Sequence, residues 1–367
     1  MKTKNFLYIS ETSIPSKSAN IINSLKFSDA FAKNYKMNFY LPNIKLSEKE
    51  IKNRFSLKNK FFFVSVLDKN ISNSFLRFKF CLKVLYKVLN NNTKPDIILS
   101  RSVICSLLLA VINKKNILEI HHDIRGLTKI LFNILVKLYF KKNIIFVVLN
   151  QKLALDLKIT NLKYLILDDA ADIQNLKKRK KKIYKNTCVY VGSFFKGKGI
   201  KLIHNLSKIA PEIKFHIYGD LSTLDKNHEK ILTRPNVKFM GFINYTQVKH
   251  VLKRYHIALM PYDKKIMGRS SNLEISKYIS PLKMFDYLSA GNIIFASNLK
   301  VFSHILKHNI NSFILNNTNI HEWRNSINKV FNNLNSFEYI KFNSIRLSKK
   351  YSWENRSIKL LKYLNLN

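Results

Sequence analysis

Acidic residues are scarce in this sequence, and the imbalance of charge is large. The 367 residues include 22 Asp and Glu against 64 Lys and Arg, which leaves a formal net charge of +42 at pH 7. A chain this basic attracts anionic partners, such as nucleic acid, phosphorylated small molecules or an acidic membrane surface. Lys, Asn and Ile are abundant throughout the chain, so the charge alone does not choose among these partners.

Cysteine is scarcer still, with three residues in total. Cys81, Cys105 and Cys188 are scattered through apolar segments, and no two of them have CxxC spacing. This pattern excludes a cysteine-based metal or redox site and fits a reducing cytoplasm.

Long hydrophobic runs are also missing. The longest apolar segments, 102–113 and 127–140, are short, and the second contains Lys129 and Lys137. A membrane-spanning helix needs roughly 20 apolar residues, so the sequence predicts no span.

What the chain does contain is a repeated alternation of strand-like and helix-like segments, with enough apolar residues, 46% of the total, for two cores. It predicts an α/β fold with two Rossmann-like, doubly wound parallel-sheet domains. The basic run KKRKKK separates the two patterns and is interpreted as a solvated linker rather than a nucleic-acid arm. The predicted domain boundaries are 1–170, a linker at 171–186, a second domain at 187–335, and C-terminal helices at 336–367. Strands are predicted at 5–10, 37–41, 61–66, 96–100, 116–120, 144–149, 164–167, 187–192, 214–219, 237–241, 257–262, 292–297 and 312–315.

Glycine is rare and unevenly placed. Seven of the eight glycines follow residue 190. The segment VYVGSFFKGKGIKLI predicts a strand, a glycine-bearing loop and a helix, which would aim Lys198 and the loop amides at the carboxyl edge of a sheet. The spacing matches neither the dinucleotide GxGxxG nor the phosphate-binding GxxxxGK[ST], which disfavours a nicotinamide enzyme or an ATPase.

The segment SPLKMFDYLSAG at 280–291 predicts a short helix with Ser280 as N-cap, Pro281 at the first position and Gly291 just past the end. Lys283 then places a cation in the first turn, where the helix dipole favours an anion. We therefore expect an anionic ligand beside Lys283, and a diphosphate could lie between Lys283 and Lys198. Asp286, on the same side of the helix, could bind ribose hydroxyls; the alternative is an ordinary polar position on an amphipathic helix.

Taken together, these segments resemble the family 4 glycosyltransferases of the GT-B fold, which have two Rossmann-like domains facing across a cleft and mostly retain anomeric configuration. The resemblance covers nearly the whole chain and rests on FLYISETSIPSKSANIINSLKFSDAFAKN, VYVGSFFKGKGI, FHIYGD, VKFMGFI, IALMPY, SPLKMFDYLSAGNIIFASN and the terminal helix YSWENRSIKLLKYL. It implies a donor nucleotide-diphosphate sugar as co-substrate and no other cofactor. The site residues it implies are, for the diphosphate, Ser193, Lys198, Ser280, Leu282 and Lys283; for the ribose, Asp286; lining the nucleotide cleft, Tyr218, Gly219, Gly241, Phe242 and Tyr278; and on the acceptor side, Ser18 and Asn20.

The sequence departs from the family pattern at two of these positions. The usual pair of acids eight residues apart falls on Tyr278 and Asp286, so the first acid is missing, and Ser193 stands where many members have Arg. A form with SPLK before the second acid recurs in the family, and we interpret the chain as a specialised member of that form.

His121 and His122 follow a predicted strand in the segment NILEIHHDIRG. The family carries a histidine at such a strand end, near the donor sugar and the acceptor, and His121 is the better match; His122 and a histidine without a chemical role are the alternatives. The diphosphate is a good leaving group once its charge is neutralised, so positioning and electrostatic stabilisation should dominate. Retention would need no enzymic nucleophile.

The acidic cluster Asp168, Asp169 and Asp172 could suggest a metal site, but its place at the end of a strand favours a hinge or donor contact. The resemblance implies no essential metal.

The segment 73–91 predicts an amphipathic helix in which Phe75, Phe78, Leu82, Leu85 and Leu89 recur at helical spacing among basic residues. We expect it to pack on the first sheet with a solvated basic face; interfacial attachment to anionic lipid is the alternative.

The predicted function is retaining transfer of a sugar to a glycan or lipid-linked acceptor in bacterial surface polysaccharide or lipopolysaccharide synthesis. We expect a cytoplasmic location with peripheral contact to the inner face of the cell membrane. The alternatives are a catalytically silent nucleotide-sugar-binding homologue and, in a different class, a basic nucleic-acid-binding protein. The sequence shows none of the motifs of nucleic-acid-binding folds, so no nucleic-acid partner is expected.

Overall fold

The chain folds into two compact units. The computed structural model describes residues 4–90, 94–138, 143–173, 183–268 and 273–366. The first unit runs up to Asp169 and includes the C-terminal segment from Trp353, and the second unit is Ala170–Ser352. Each unit is a parallel sheet with flanking helices, so the predicted fold class is confirmed.

The first unit is built on a seven-stranded parallel sheet in the order β3-β2-β1-β4-β5-β6-β7. Its strands are β1 (Asn5–Ile9), β2 (Lys36–Leu41), β3 (Phe61–Ser65), β4 (Ile97–Ser100), β5 (Asn116–Ile120), β6 (Ile144–Val148) and β7 (Tyr164–Ile166). The helices between them are α1 (Ala19–Ala32), α2 (Glu48–Phe55), α3 (Ser74–Asn90), α4 (Val103–Val111), α5 (Gly126–Leu138) and α6 (Gln151–Asp156). Strands such as β6, with the sequence IIFVV, are apolar throughout because helices cover both faces of a parallel sheet.

The second unit has a six-stranded parallel sheet in the order β10-β9-β8-β11-β12-β13. Its strands are β8 (Thr187–Val191), β9 (Lys214–Tyr218), β10 (Val237–Phe239), β11 (Ile257–Met260), β12 (Ile293–Ser297) and β13 (Ser312–Leu315). Its helices are α7 (Ile200–Ile209), α8 (Tyr245–Leu252), α9 (Leu282–Ala290), α10 (Ile320–Asn332) and α11 (Glu338–Ser348). The strand order reverses between β8 and β11, and α/β sheets open a ligand crevice at such a reversal, beyond the carboxyl ends of the strands.

The last helix, α12 (Trp353–Tyr363), packs against α1 of the first unit. The helix before it, α11, packs against α9 and belongs to the second unit. The return to the first unit therefore begins at Trp353, later than residue 336 predicted from the sequence. The basic run at 177–182 of the predicted linker lies outside the described residues; next to it, Ala171 pairs with Ser352 in a short parallel bridge.

The start of α9 differs by one residue from the sequence prediction. The N-cap is Pro281 and not Ser280, so no side chain caps the helix, and the first helical residue is Leu282. Gly291 ends the helix in a left-handed conformation with a φ of 66°, as predicted. Because proline has no side-chain oxygen, the N-cap residue itself provides no acceptor for the amides of the first turn.

The buried face of α3 is not the one that we expected. Phe80, Cys81, Val84 and Val88 pack on the first sheet, whereas the apolar row predicted to do so lies largely on the outside. The exposed members of that row are Phe75, Phe78, Leu82 and Leu89. The helix packs on the first sheet as predicted, but its outer face carries these apolar side chains beside the exposed Lys79 and Lys83. Among the described residues, no helix is both long and apolar enough to cross a bilayer.

Candidate functional site

Two loops meet where the strand order of the second sheet reverses. The loop after β8 packs closely on the loop after β11, and the backbone N–H of Asp263 donates to the carbonyl of Gly197 at 3.0 Å. The N–H of Met267 donates to the carbonyl of Lys196 at the same distance. Gly199 has a φ of 96°, and a Cβ there would lie 2.2 Å from the carbonyl oxygen of Pro261. The sequence GKG is thus required for two backbones to approach this closely.

Lys283, in the first turn of α9, extends back to this pair of loops. Its Nζ lies 3.7 Å from the ring centroid of Tyr190 and 5.2 Å from that of Tyr262. A Cβ at Gly192 would lie 2.7 Å from the same Nζ, so a larger residue there would displace the end of the Lys283 side chain. Although the side chain as a whole is partly exposed, Nζ is buried and has no hydrogen-bond partner among the residues that the structure describes.

Lys198 brings a second cation to the same aromatic ring. Its Nζ lies 5.1 Å from the centroid of Tyr262, and the residue is buried. Burial lowers the pKa of Lys198 to about 8. Burial, together with the charge of Lys198, holds the pKa of Lys283 well below its usual range. Aromatic faces attract both ammonium groups but do not neutralise them, so the pair is suited to an anion such as a diphosphate.

Other predicted donor residues surround the carboxyl ends of β8, β9 and β10. The N–H of Gly192 donates to the carbonyl of Tyr218 at 3.0 Å, and the N–H of Gly219 to that of Gly241 at 3.1 Å. The carbonyl of Ser193 accepts from the Tyr190 hydroxyl at 2.7 Å. The structure thus brings these positions together with the two lysines along one edge of the sheet.

Asp286 lies on α9, one turn beyond Leu282, and is partly exposed. The hydroxyl of Tyr245, at the start of α8, approaches its Oδ1 at 3.4 Å. The geometry is compatible with the predicted contact to ribose. Phe242, in the loop before α8, is exposed.

The two remaining donor-side positions are buried before α9. The Tyr278 side chain is largely buried, and its backbone N–H donates to the carbonyl of Ile275 at 3.0 Å. Ser280 is buried as well and does not cap the helix.

In the first unit, His121 follows β5 and binds a buried carboxylate. Its Nε2 lies 2.7 Å from Oε1 of Glu119, which is fully buried and also binds Nη2 of Arg356 at 2.8 Å. Burial and the charge of Arg101 lower the pKa of His121 to about 3, although Glu119 acts in the opposite direction. The imidazole is therefore neutral over the physiological range. The neighbouring His122 is exposed, and its Nδ1 bonds the carbonyl of Asp123 at 2.9 Å.

The two predicted acceptor-side residues lie at the start of α1. Ser18 is the N-cap of this helix, and its hydroxyl accepts from the N–H of Ile21. The amide group of Asn20, which is exposed, donates to the hydroxyl of Thr12 at 3.2 Å. Ser18 therefore has a structural task in addition to any contact with an acceptor.

The acidic segment after β7 takes part in contacts of the first unit. Asp169 is buried and accepts from the amide group of Asn23, and the carbonyl of Asp168 accepts from Nε of Arg356 at 2.8 Å. Burial is the main cause that raises the pKa of Asp169 to about 7. Within the described ranges, no group of three or more His, Cys, Asp and Glu side chains is placed to hold a metal ion.

Four residues of these two sites were missed by sequence reasoning. The rings of Tyr190 and Tyr262 lie against the amino group of Lys283. Glu119 and Arg356 form the ion pair behind His121. One signal was available: Glu119 interrupts the otherwise apolar part of β5, and a charge inside a buried strand requires a partner. The tyrosines gave no such signal because they are ordinary residues of buried strand ends.

Comparison with known proteins is consistent with this geometry. Residues 171–345 match the family described as glycosyl transferases group 1. No curated protein matches the sequence.

Solved structures share the fold over the whole chain. A glycosyltransferase from Rickettsia africae is 14% identical with a TM-score of 0.73, covering 100% of this chain and 99% of its own. Anabaena Alr3699/HepE in complex with UDP and glucose is 12% identical with a TM-score of 0.69, covering 99% of both chains. WaaG, a glycosyltransferase involved in lipopolysaccharide biosynthesis, is 11% identical with a TM-score of 0.64, covering 97% of this chain and 98% of its own. Residues 171–345 therefore resemble the group 1 glycosyltransferases, and the two parallel-sheet units have the GT-B fold.

Proposed function

We propose that the protein is a retaining glycosyltransferase that moves a sugar from a nucleotide-diphosphate sugar to a glycan or lipid-linked acceptor in bacterial surface polysaccharide or lipopolysaccharide synthesis. The observation that carries the proposal is the buried Nζ of Lys283, which has no hydrogen-bond partner among the described residues and lies, like Nζ of Lys198, against the ring of Tyr262 at the switch point of the second sheet. A donor diphosphate would provide the missing negative charge. The Anabaena and WaaG structures support the donor class and the pathway by analogy.

The two lysines and the uncapped start of α9 would stabilise the diphosphate as it leaves. Negative charge grows on the leaving oxygen in the transition state, and fixed cations in a partly buried site stabilise it strongly. Asp286 would bind the ribose, and His121 would act on the sugar or the acceptor. The acceptor would then attack from the face that the diphosphate leaves, which accounts for retention without an enzymic nucleophile. We propose that no metal and no nucleic acid take part.

The donor is identified by thermal unfolding in the presence of UDP-, GDP-, ADP- and CMP-sugars. A ligand at 100 times its dissociation constant raises the free energy of unfolding by about 2.7 kcal/mol, so the correct donor should stand out. Transfer from that donor to a lipid-linked or glycan acceptor is then followed by NMR, which reports the anomeric configuration of the product. A protein that no nucleotide sugar stabilises, or a product of inverted configuration, would contradict the proposal.

Nucleotide binding should depend on pH because it favours charged lysines. Lys198 in the free protein has a pKa of about 8, and a bound diphosphate raises it. Above pH 8 the free protein must first take up a proton, so the affinity for UDP or GDP should fall by up to about tenfold per pH unit until the pKa of the complex is reached. Calorimetry in buffers of different ionisation enthalpy measures the proton uptake directly. An affinity that stays constant from pH 7 to 9.5, with no proton uptake, would show that neither Lys198 nor Lys283 contacts the diphosphate.

We also propose that the outer surface of α3 and α5 contacts an anionic membrane at the cytoplasmic face. The side chain of Phe75 is 71% exposed and that of Leu127 is 79% exposed. Other exposed apolar residues on these helices are Phe78, Leu82, Tyr86, Leu89, Ile130, Leu131 and Ile134. Exposed Lys79 and Lys83 lie among those of α3, and such a mixture of apolar and basic residues is typical of interfacial helices.

The substitution pair Phe75→Ser and Phe78→Ser should abolish sedimentation with vesicles containing phosphatidylserine at physiological salt. The reason is that the apolar contact is lost while the charge is kept, and charge alone is screened within about 8 Å at physiological ionic strength. Phe342→Ser is the matched control, since Phe342 is similarly exposed but lies on α11 in the second unit. Equal sedimentation of the wild type and the double variant would exclude this surface as the membrane contact.

A further inference from the structure

The ion pair behind His121 links three separate parts of the first unit. Glu119 on β5 accepts from His121 and from Arg356 through the same oxygen, Oε1, while the hydroxyl of Tyr8 on β1 donates to Oε2 at 3.2 Å. Arg356 comes from α12, at the far end of the sequence. This arrangement leaves the Glu119 carboxylate no freedom to rotate, since both of its oxygens are held.

Arg356 is itself held in place on the side away from Glu119. Its guanidinium lies 4.1 Å from the ring centroid of Phe27, and its Nε donates to the carbonyl of Asp168 at 2.8 Å. Both partners of the ion pair are almost fully buried, with 3% and 0% of their side chains exposed. A buried pair with fixed geometry is costly unless its hydrogen bonds are satisfied, and it is suited to orienting a third group.

The charge state of the pair determines the tautomer of His121. Burial alone would raise the pKa of Glu119, but Arg356, His121 and Arg101 outweigh it and hold that pKa well below its usual range. Glu119 is therefore an anion, and an anionic carboxylate accepts hydrogen bonds but does not donate them. The neutral His121 ring must then carry its proton on Nε2, which leaves the lone pair on Nδ1.

We propose that Glu119 is a positioning residue that fixes the His121 ring with Nε2 protonated, so that Nδ1 accepts a hydrogen bond from a sugar hydroxyl of the bound substrates. Arg356 holds Glu119 in turn. The inference rests on the proposed role of His121 in sugar transfer, and it adds which ring nitrogen faces the substrate and what type of group it binds. A ring nitrogen that only accepts hydrogen bonds selects a hydroxyl group and would not bind the diphosphate.

Two changes at this pair test the proposal. Glu119→Gln removes the charge but leaves Arg356 buried without an anion, which can destabilise the fold. The paired substitution Glu119→Met and Arg356→Met removes both charges together and should fold. In this paired variant, we expect kcat to fall about threefold to tenfold, the effect of one hydrogen bond, with the affinity for the donor nucleotide unchanged.

The tautomer is read directly from ¹⁵N spectra of the full-length protein labelled at histidine, with the His121 resonances assigned through His121→Ala. In the wild type Nε2 should be protonated and Nδ1 unprotonated, and the paired variant should show a mixture. His121→Ala should have the same kcat with or without the paired substitution, because Glu119 acts only through His121.

The inference is overturned if Nδ1 carries the proton in the wild type, or if the paired substitution lowers kcat by the same factor in the His121→Ala background. A purely structural role predicts the second result. If His121→Ala alone transfers sugar as fast as the wild type, the proposed role of His121 in transfer fails, while the spectra still show whether Glu119 sets the tautomer.

Discussion

Lys283→Ala should weaken the binding of UDP or GDP by about 10- to 150-fold, the equivalent of about 1.5–3 kcal/mol for a charge-assisted hydrogen bond. The effect is large because the Nζ atom is buried and no group in the described part of the chain hydrogen-bonds to it, so a bound diphosphate would provide that partner. Lys198→Ala should have an effect of similar size, since both ammonium groups lie against the ring of Tyr262. Isothermal titration calorimetry with the free nucleotides measures both effects without the need for an acceptor.

Removing the amino group of Lys283 should not destabilise the free protein. Burial lowers the pKa of Lys283 in the folded state below its value in the unfolded chain, so at neutral pH the unfolded state binds more protons. Folding stability therefore rises with pH through this range, and Lys283→Met, which removes the titrating group, should make the free protein more stable at pH 7. A loss of affinity accompanied by a gain in stability distinguishes a ligand-binding lysine from a structural one.

Lys201→Ala is the matched control, because Lys201 is exposed on α7 only three residues from Lys198. It changes the net charge by the same amount but should leave the affinity nearly unchanged. Unaltered binding of UDP and GDP in both Lys198→Ala and Lys283→Ala would refute the diphosphate assignment.

The strands could be predicted from the sequence because their signal is local. All thirteen predicted strand segments correspond to strands, and β5 has the predicted bounds. A strand covered on both faces must be apolar throughout, so segments such as IIFVV are recognisable without any tertiary information. The signal for the glycine-bearing loop after β8 is also local, because its positive φ angles favour glycine.

Features that depend on packing could not be predicted in the same way. Helix α3 has two rows of apolar residues. Which row is buried depends on how the helix packs on the sheet and not on the sequence of the helix alone. The ion pair behind His121 joins residues 237 positions apart, a separation at which a single sequence gives no sign of contact. The prediction of the α9 N-cap was wrong for a different reason. Ser280 and Pro281 both suit the start of a helix, and the backbone conformation in the folded protein determines which of them is the N-cap.

His121→Ala should lower kcat by about tenfold or more while leaving the affinity for the donor nucleotide nearly unchanged. Lys198, Lys283 and Asp286 all belong to the second unit, whereas His121 lies in the first, so the nucleotide contacts survive the substitution. A loss confined to kcat indicates an interaction made mainly in the transition state. Initial rates at saturating donor, together with the dissociation constant of UDP or GDP, separate the two effects.

His122→Ala provides a control one residue away, since His122 is exposed and its Nδ1 bonds the carbonyl of the adjacent Asp123. His122→Ala should retain nearly the full rate. If His122→Ala lowers kcat and His121→Ala does not, the role belongs to His122.

The dependence of kcat on pH gives an independent check of the state of His121. Because burial and Arg101 lower the pKa of His121 to about 3, its ring stays neutral, and the rate should show no ionisation of this residue near pH 6.5. A step in kcat near that pH which disappears in His121→Ala would mean that the imidazole is charged in the working enzyme, and a charged ring could not offer Nδ1 to a hydroxyl.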